Sequence, residues 1–323
     1  MKNRIFYKIN KKIKYKKNEF IDNCFKKMEK HSNYFNTYWS RPKKSIEINY
    51  TTKAISFKNV GIVIQGPLLL KDNFTVETVK LYKKNYPECP VIVSTWKNED
   101  NNTLNNIKSL GAVVVVSDYP EIQGHERVNY QKRSSLLGIK KAKKLGCEYV
   151  LKTRTDQRIY ANNVMEYFKD LVEQFPLKIK TRANKRIICC SLSTIKNRLY
   201  NISDMLLFGD IDDMELYFNP CDAPNTESGL KIYDEKKEQV KWAKTRPGEI
   251  YFSTNYIENC GHKLKWTYQD SDYYRNQLFI VVDSEAIDLF WPKYTRREYM
   301  WRSYTGLPFE TVGFKDWFIE QFR

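Results

Sequence analysis

The chain has 323 residues, 41% of them hydrophobic and 15% aromatic, which supplies a substantial core and excludes a disordered polymer. Its 55 Lys and Arg against 38 Asp and Glu give a formal charge of +17; residues 1–50 hold 14 of those cations against 4 acids, so most of the excess is a basic leader. Seven scattered Cys with no C-x-x-C pair argue for a reducing compartment and against a disulfide framework or structural zinc, and with no apolar run near 18 residues no membrane span is expected.

Residues 1–57 read as a basic helical extension, and 58–323 as one domain. Lys2 to Lys17 carries eight cations and no acid, interleaved with Ile5, Phe6, Ile9 and Ile13. That pattern suits an anionic membrane surface, with a solvated tail as the plain alternative. Val60 to Pro67 reads as a buried strand closed by a Gly-Pro turn. Phe74 to Asn85 has helical spacing and stops before Pro87. Pro90 to Trp96 is a second strand, and Glu99 to Leu110 a helix ended by Gly111. Ala112 to Ser117 is a third strand, Arg127 to Leu145 a longer helix ended by Gly146, and Tyr149 onward a fourth strand. Short connections between alternating strands and helices predict an α/β domain whose mostly parallel sheet is flanked by helices. Beyond it, helices are expected over 163–175 and 212–218, strands over 186–192 and 202–209, and a helix opening at Pro247. Residues 219–246 read as an irregular, mobile loop.

The fourth strand runs straight into Lys152, Arg154, Asp156 and Arg158. Alternation would put these four on one face while the extended geometry lasts. Ligands of open α/β sheets bind at the carboxyl edge, and one carboxylate among cations suits a diphosphate, with or without a bridging cation. An N-cap or an Arg-paired surface carboxylate is the plainer reading of Asp156. Gln65-Gly66-Pro67 matches neither a dinucleotide fingerprint nor a P-loop.

These residues resemble a known family. Gly138-Ile-Lys-Lys-Ala142 followed by Glu148-Tyr-Val-Leu-Lys-Thr-Arg-Thr-Asp156 is similar to nucleotide-sugar glycosyltransferases of the GT-A fold. Ile64-Gln-Gly-Pro67, Leu81 to Pro87, Ser94-Thr-Trp96, Lys152 to Ile159 and Ile202-Ser-Asp204 resemble the WavE lipopolysaccharide-synthesis family. The resemblance implies a GT-A-like fold and sugar transfer from a nucleotide-sugar donor to a glycan or lipid-linked glycan acceptor of lipopolysaccharide or capsule type. Cysteine usage and the basic leader lead one to expect a cytoplasmic enzyme, peripheral on the inner membrane face through residues 1–30, and the motifs give no nucleic-acid partner. Asp156 matches the second Asp of the family's Asp-x-Asp motif, the ligand of a divalent metal such as Mn or Mg. Gln65, Gly66, Pro67 and Asp118 fall where the nucleoside is held. The first Asp of the motif is Arg154 here, which puts ribose binding and metal dependence in question.

The chemistry of an inverting transfer also asks for a base, for which Asp204 and Glu249 are candidates. A buried structural carboxylate is the competing reading of Asp204, and favourable placement at a helix start that of Glu249. Asn129 and Gln131 lie where they could contact the nucleotide. Two alternatives stand beside this reading. A nucleotidyltransferase acting on sugar phosphates shares the sheet but carries a Gly-rich loop that is missing here. A basic nucleic-acid-binding protein fits the charge but not the motifs.

Overall fold

The computed structural model describes residues 16, 19–30, 41–48, 55, 57–227, 229–235, 237–291 and 310–322. The chain divides into two compact units, Met1–Pro42 and Lys43–Arg323. In the first, residues 19–29 form a helix, α1. Apart from Lys16, the cation-rich run Lys2–Lys17 lies outside the described residues. The second unit begins ahead of the boundary expected at residue 57. The Ser45 amide donates to Glu77 at 2.8 Å, and the Lys43 carbonyl accepts from Arg158 at 3.0 Å.

The second unit opens with four strands and three helices in strict alternation. They are β1 (Val60–Gln65), α2 (Phe74–Asn85), β2 (Val91–Trp96), α3 (Asn101–Ser109), β3 (Val113–Ser117), α4 (Val128–Lys144) and β4 (Tyr149–Arg154). β1 and β2 are buried at every position, the mark of strands covered on both faces. The valines of β3 are part-exposed, as suits an edge strand. β5 (Arg158–Ile159), α5 (Val164–Gln174), β6 (Ile187–Cys190), β7 (Leu207–Asp210) and α6 (Ile211–Tyr217) follow. Then come α7 (Gly229–Ile232), α8 (Gln239–Lys244), α9 (Glu249–Asn259), α10 (Tyr268–Leu278), β8 (Phe279–Val282), β9 (Leu289–Phe290) and α11 (Phe314–Ile319).

The main sheet has seven strands in the order β3-β2-β1-β4-β7-β6-β8. β1 pairs in parallel with β2 and β4, β2 with β3, and β6 with β8, while β7 runs against both β4 and β6. The sheet is therefore mostly parallel, and the carboxyl ends of β1 to β4 share one edge. β5 and β9 form a small antiparallel pair.

Three expectations need correction. Of the strand expected over 202–209, only Leu207–Asp210 forms. Before it, the Ser203 amide donates to the Thr194 hydroxyl at 3.1 Å and the Asp204 carbonyl accepts from Lys152 at 2.7 Å. Side chains thus satisfy backbone groups that a ladder would otherwise need. Residues 219–246, read from sequence as irregular, contain α7 and α8 and bury Ala223, Trp242 and Ala243. The four charged residues Lys152, Arg154, Asp156 and Arg158 do not share one face, since only the first two lie within β4. The strand ends at Arg154, and the Gln157 amide closes a turn on the Arg154 carbonyl at 3.1 Å. Arg158 leaves toward α2, where it donates to the Phe74 carbonyl at 2.8 Å and the Thr78 hydroxyl at 2.9 Å and stacks on Phe74.

α4 lies close on the sheet because Gly138 has no side chain. A methyl group there would overlap the Val63 side chain and come within 3.1 Å of Ser94 Cβ. Gly138→Ala should therefore cost about 1–3 kcal/mol of unfolding free energy through overpacking. Adding Val63→Ala should recover part of it, a non-additivity that urea denaturation of the double mutant would measure.

Candidate active site

Gln65 closes β1, Asp118 follows β3 and Asp156 follows β4, so the three lie at the same carboxyl edge of the sheet. Gln65 itself turns inward. It is buried and donates to the Ser134 hydroxyl of α4 at 2.9 Å. The following Gly66 has φ of 118°, a region open to glycine, and a Cβ there would sit 3.2 Å from the Thr155 hydroxyl. That hydroxyl donates to the Pro67 carbonyl at 2.5 Å, so the turn after β1 is tied to the end of β4.

Asp156 is held by Arg154 in a two-pronged pair, with Nε on one carboxylate oxygen at 2.8 Å and the terminal nitrogen on the other at 3.1 Å. Burial pushes this carboxyl up. The hydrogen bonds and charge of Arg154 and a hydrogen bond from Trp291 outweigh that and hold it below the ordinary value. Arg154 also lies over the Trp291 ring at 5.1 Å. Both oxygens expected to ligate a cation are thus engaged by a guanidinium. Among the described residues no group of three or more His, Cys, Asp or Glu is arranged to hold a metal. As placed, these donors do not fit the divalent ion that the motif resemblance led one to expect.

Asp118 is exposed and paired with Lys97 at 2.5 Å. Beside it, Trp96 at the end of β2 stacks on Tyr119 at 4.4 Å. Tyr130 of α4 tilts against both, at 5.6 and 5.0 Å. Sequence reasoning missed this platform because its three rings come from three elements, although Tyr119 directly follows Asp118. Asn129 is spent on the scaffold. Its amide nitrogen donates to the Ile122 and Ala223 carbonyls at 3.0 and 2.8 Å, and its oxygen accepts from the Ala223 amide at 2.8 Å. This correction follows from burial: an enclosed amide must satisfy both its ends, and here the backbone does so.

A second cluster gathers around Lys152 of β4 and the Asp204 loop that precedes β7. Lys152 is fully buried, with Nζ 2.7 Å from the Asp204 carbonyl oxygen and 5.2 Å from the Phe218 ring centre. Burial pulls its ammonium group down to about 7, against the opposing charge of Asp204. Sequence placed it among the phosphate-binding cations, but its enclosure removes it from that role. Gln131 approaches the same carbonyl at 3.5 Å. Glu249, in the first turn of α9, is partly buried. Burial first, then the charge of Asp204, raises its carboxyl well above the usual range; Glu126 adds to this and Arg198 opposes it. The Tyr217 hydroxyl is buried without a hydrogen-bond partner among the described residues. Burial and the charges of Asp204, Cys189 and Glu249 push its phenol up. Asp204 and Glu249, nominated separately from sequence, are thus linked through charge: that of Asp204 helps to raise the Glu249 carboxyl.

The backbone around Glu249 is strained. Glu126, Arg127 and Arg246 take φ of 52°, 63° and 52°, in the left-handed region, where a non-glycine residue costs on the order of 1–3 kcal/mol. The His125 imidazole meets the Arg246 carbonyl at 2.8 Å and links the two loops. A Cβ on Gly248 would come within 2.9 Å of the Glu126 carboxylate. Such strain clusters at functional sites.

Residues 60–245 match the profile of the WavE lipopolysaccharide synthesis family, more than half of the chain, and the protein belongs to that family. Membership supports a role of glycosyltransferase type in lipopolysaccharide synthesis. No curated protein matches the chain. Solved structures similar to it include HddC from Yersinia pseudotuberculosis, at 9% identity and a TM-score of 0.30 over 49% of this chain and 79% of that one. Mannose-1-phosphate geranyltransferase from Thermus thermophilus matches at 8% identity and 0.28, over 50% and 63%. A glycosyltransferase involved in glycosylation of the major capsid of PBCV-1 matches at 12% and 0.27, over 49% and 65%.

Asp156→Asn should destabilise the chain at neutral pH by about 1–3 kcal/mol, since Arg154 loses a charged acceptor. A carboxyl held below its unfolded value contributes stability above that value and loses it as pH falls through the folded one. The difference between wild type and mutant should therefore shrink as denaturation curves are taken to acid pH.

Proposed function

We propose that this protein is a glycosyltransferase that moves a sugar from a nucleotide-sugar donor to a hydroxyl of a surface-glycan acceptor. The observation that supports the reading is the Glu249 carboxyl at the start of α9, raised by burial and by the charge of Asp204, whose main-chain oxygen Lys152 of β4 holds at 2.7 Å. Family membership supports the same class of chemistry.

In this reading the nucleobase stacks on the exposed Tyr119 ring, which Trp96 and Tyr130 back. Gly66 and Pro67 form the turn over which the nucleoside passes, with Asp118 beside it. Arg154, kept in register by Asp156, meets the diphosphate as a planar donor. Gln131 lines the approach to Asp204. Burial and the charge of Asp204 keep the Glu249 carboxyl protonated at a pH where an isolated glutamate is bare. When ionised, the carboxylate that serves as base takes the proton of the acceptor hydroxyl. The acceptor oxygen then bonds to the anomeric carbon, and the bond from that carbon to the phosphate oxygen breaks with its electron pair leaving on the diphosphate. The acceptor is lipid-linked, and the basic leader holds the enzyme at an anionic membrane face.

A thermal-shift panel of nucleotides and nucleotide sugars identifies the donor class, because a ligand that binds the folded chain raises its apparent stability. With the donor in hand, Glu249→Gln or Asp204→Asn should lower kcat by about 100-fold or more, with little change in donor affinity. Full activity in both variants would end the base assignment. A base acts only when ionised, so if Glu249 is that base kcat/KM should fall on the acid side with an apparent pKa above that of ordinary glutamates. For the leader, replacing Lys11, Lys12, Lys14, Lys16 and Lys17 by Gln in the full chain should abolish sedimentation with anionic vesicles. Each basic residue near such a surface contributes on the order of 1 kcal/mol. Unchanged binding would make the leader a solvated tail.

A further inference from the structure

The end of β4 places a cation where the family motif has an acid. An Asp-x-Asp motif carries two negative charges that draw in a divalent ion, whereas Arg154-Thr155-Asp156 carries no net charge. Its two charges are spent on each other in a fork, with Arg154 Nε on one Asp156 oxygen at 2.8 Å and the terminal nitrogen on the other at 3.1 Å. The backbone beneath the fork is fixed. The Thr155 amide donates to the Gln65 carbonyl at 3.0 Å, its carbonyl accepts from the Thr75 hydroxyl at 2.9 Å, and the Gln157 amide closes the turn on the Arg154 carbonyl at 3.1 Å. The Trp291 ring lies against the guanidinium, its centre 5.1 Å away. The pair is still within reach of a ligand, since 28% of the Arg154 side chain and 24% of the Asp156 side chain are exposed.

A divalent ion here would need oxygen ligands, and Asp156 could supply them only by giving up the fork. The ion would then lie beside a guanidinium, which keeps its charge at any working pH and would repel it. That guanidinium already offers a diphosphate what such an ion offers: a fixed positive charge, with planar donors that match phosphate oxygens. The fork fixes the plane in which those donors lie.

We infer that the donor diphosphate is bound without a divalent ion, with Arg154, oriented by Asp156, in the place of the cation. This deepens the proposed transfer and rests on it. Arg154 meets the diphosphate as it leaves with the electron pair of the broken bond. Asp156 is a positioning residue and acts through Arg154.

The test is calorimetric titration of the full chain, treated with a chelator, using UDP, GDP, CDP and ADP and the matching monophosphates. At least one diphosphate should bind more tightly than its monophosphate, and added manganese should change its Kd by less than about threefold. Arg154→Ala should weaken that diphosphate by about tenfold or more and remove most of its advantage over the monophosphate. Should the Ala variant not fold, Arg154→Lys keeps the charge without the fork, and a smaller loss in the same direction is expected. Arg154→Asp restores the two acids of the motif, and its diphosphate binding should appear only when manganese is present. Wild-type binding that vanishes in chelator and returns with manganese overturns the inference and leaves the transfer reading in place. Metal-free diphosphate binding that Arg154→Ala or Arg154→Asp leaves unchanged also overturns it. A chain that binds none of these nucleotides, with or without manganese, overturns the transfer reading and the inference with it.

Discussion

The architecture of the site depends on how Thr155 ends β4. Its amide continues the ladder to the Gln65 carbonyl at 3.0 Å, its hydroxyl reaches the Pro67 carbonyl at 2.5 Å, and its own carbonyl accepts from the Thr75 hydroxyl at 2.9 Å. One residue thereby ties together the end of β1, the turn that follows, the first turn of α2 and the end of β4. The strand can go no further in register, so the chain turns at Asp156. Arg154 is left facing the carboxylate two residues on, and Arg158 is carried round to α2. The packing that requires Gly66 and the pairing that engages Asp156 are consequences of the same staple.

Behind that edge the electrostatics are expensive for a fold to maintain. A lysine fully enclosed in a central strand, a glutamate whose protonated form burial favours, and a buried phenol all lie where apolar side chains would pack at no such penalty. Replacing buried ions by well-packed apolar groups is often neutral or stabilising. Local rules broken together, beside strained loops, mark a site retained for its chemistry rather than for stability. The surrounding aromatic packing of Phe218, Tyr217, Phe252 and Tyr256 supplies the rigidity that holds the polar groups in place.

Much of this was legible in the sequence, for identifiable reasons. β1 through β4 and their helices follow continuous apolar runs bounded by Gly111, Gly146 and Pro87, so both type and extent could be read locally. β8 was missed because α10 runs directly into Phe279 with no turn residue between them. Ile202 to Leu206 reads as strand from its apolar residues, yet Ser203 and Asp204 draw it into side-chain hydrogen bonding. At the site, the edge and its charged residues were legible from alternation and topology. What was not legible is direction: that Gln65 and Asn129 point into the scaffold, that Arg154 takes both oxygens of Asp156, and that Lys152 is enclosed. Those are properties of packing between elements distant in sequence. The link through charge between Asp204 and Glu249, 45 residues apart in the chain, is of the same kind.

The state of Glu249 separates two explanations of its position. A glutamate in the first turn of a helix is favoured by the helix dipole, which stabilises the ionised form by about 0.3–1 kcal/mol at exposed sites. One pKa unit corresponds to about 1.36 kcal/mol, so this effect alone would lower the carboxyl by less than one unit. The actual displacement is upward, and its largest causes are burial and the charge of Asp204. The dipole is therefore outweighed by two effects that both favour the protonated acid. A residue placed only to cap α9 would sit in water, where the dipole acts unopposed. Glu249 instead feels the charges of Asp204 and Glu126, and Glu126 is itself held in left-handed backbone, as are Arg127 and Arg246. Helix-dipole placement alone therefore does not account for the state of Glu249.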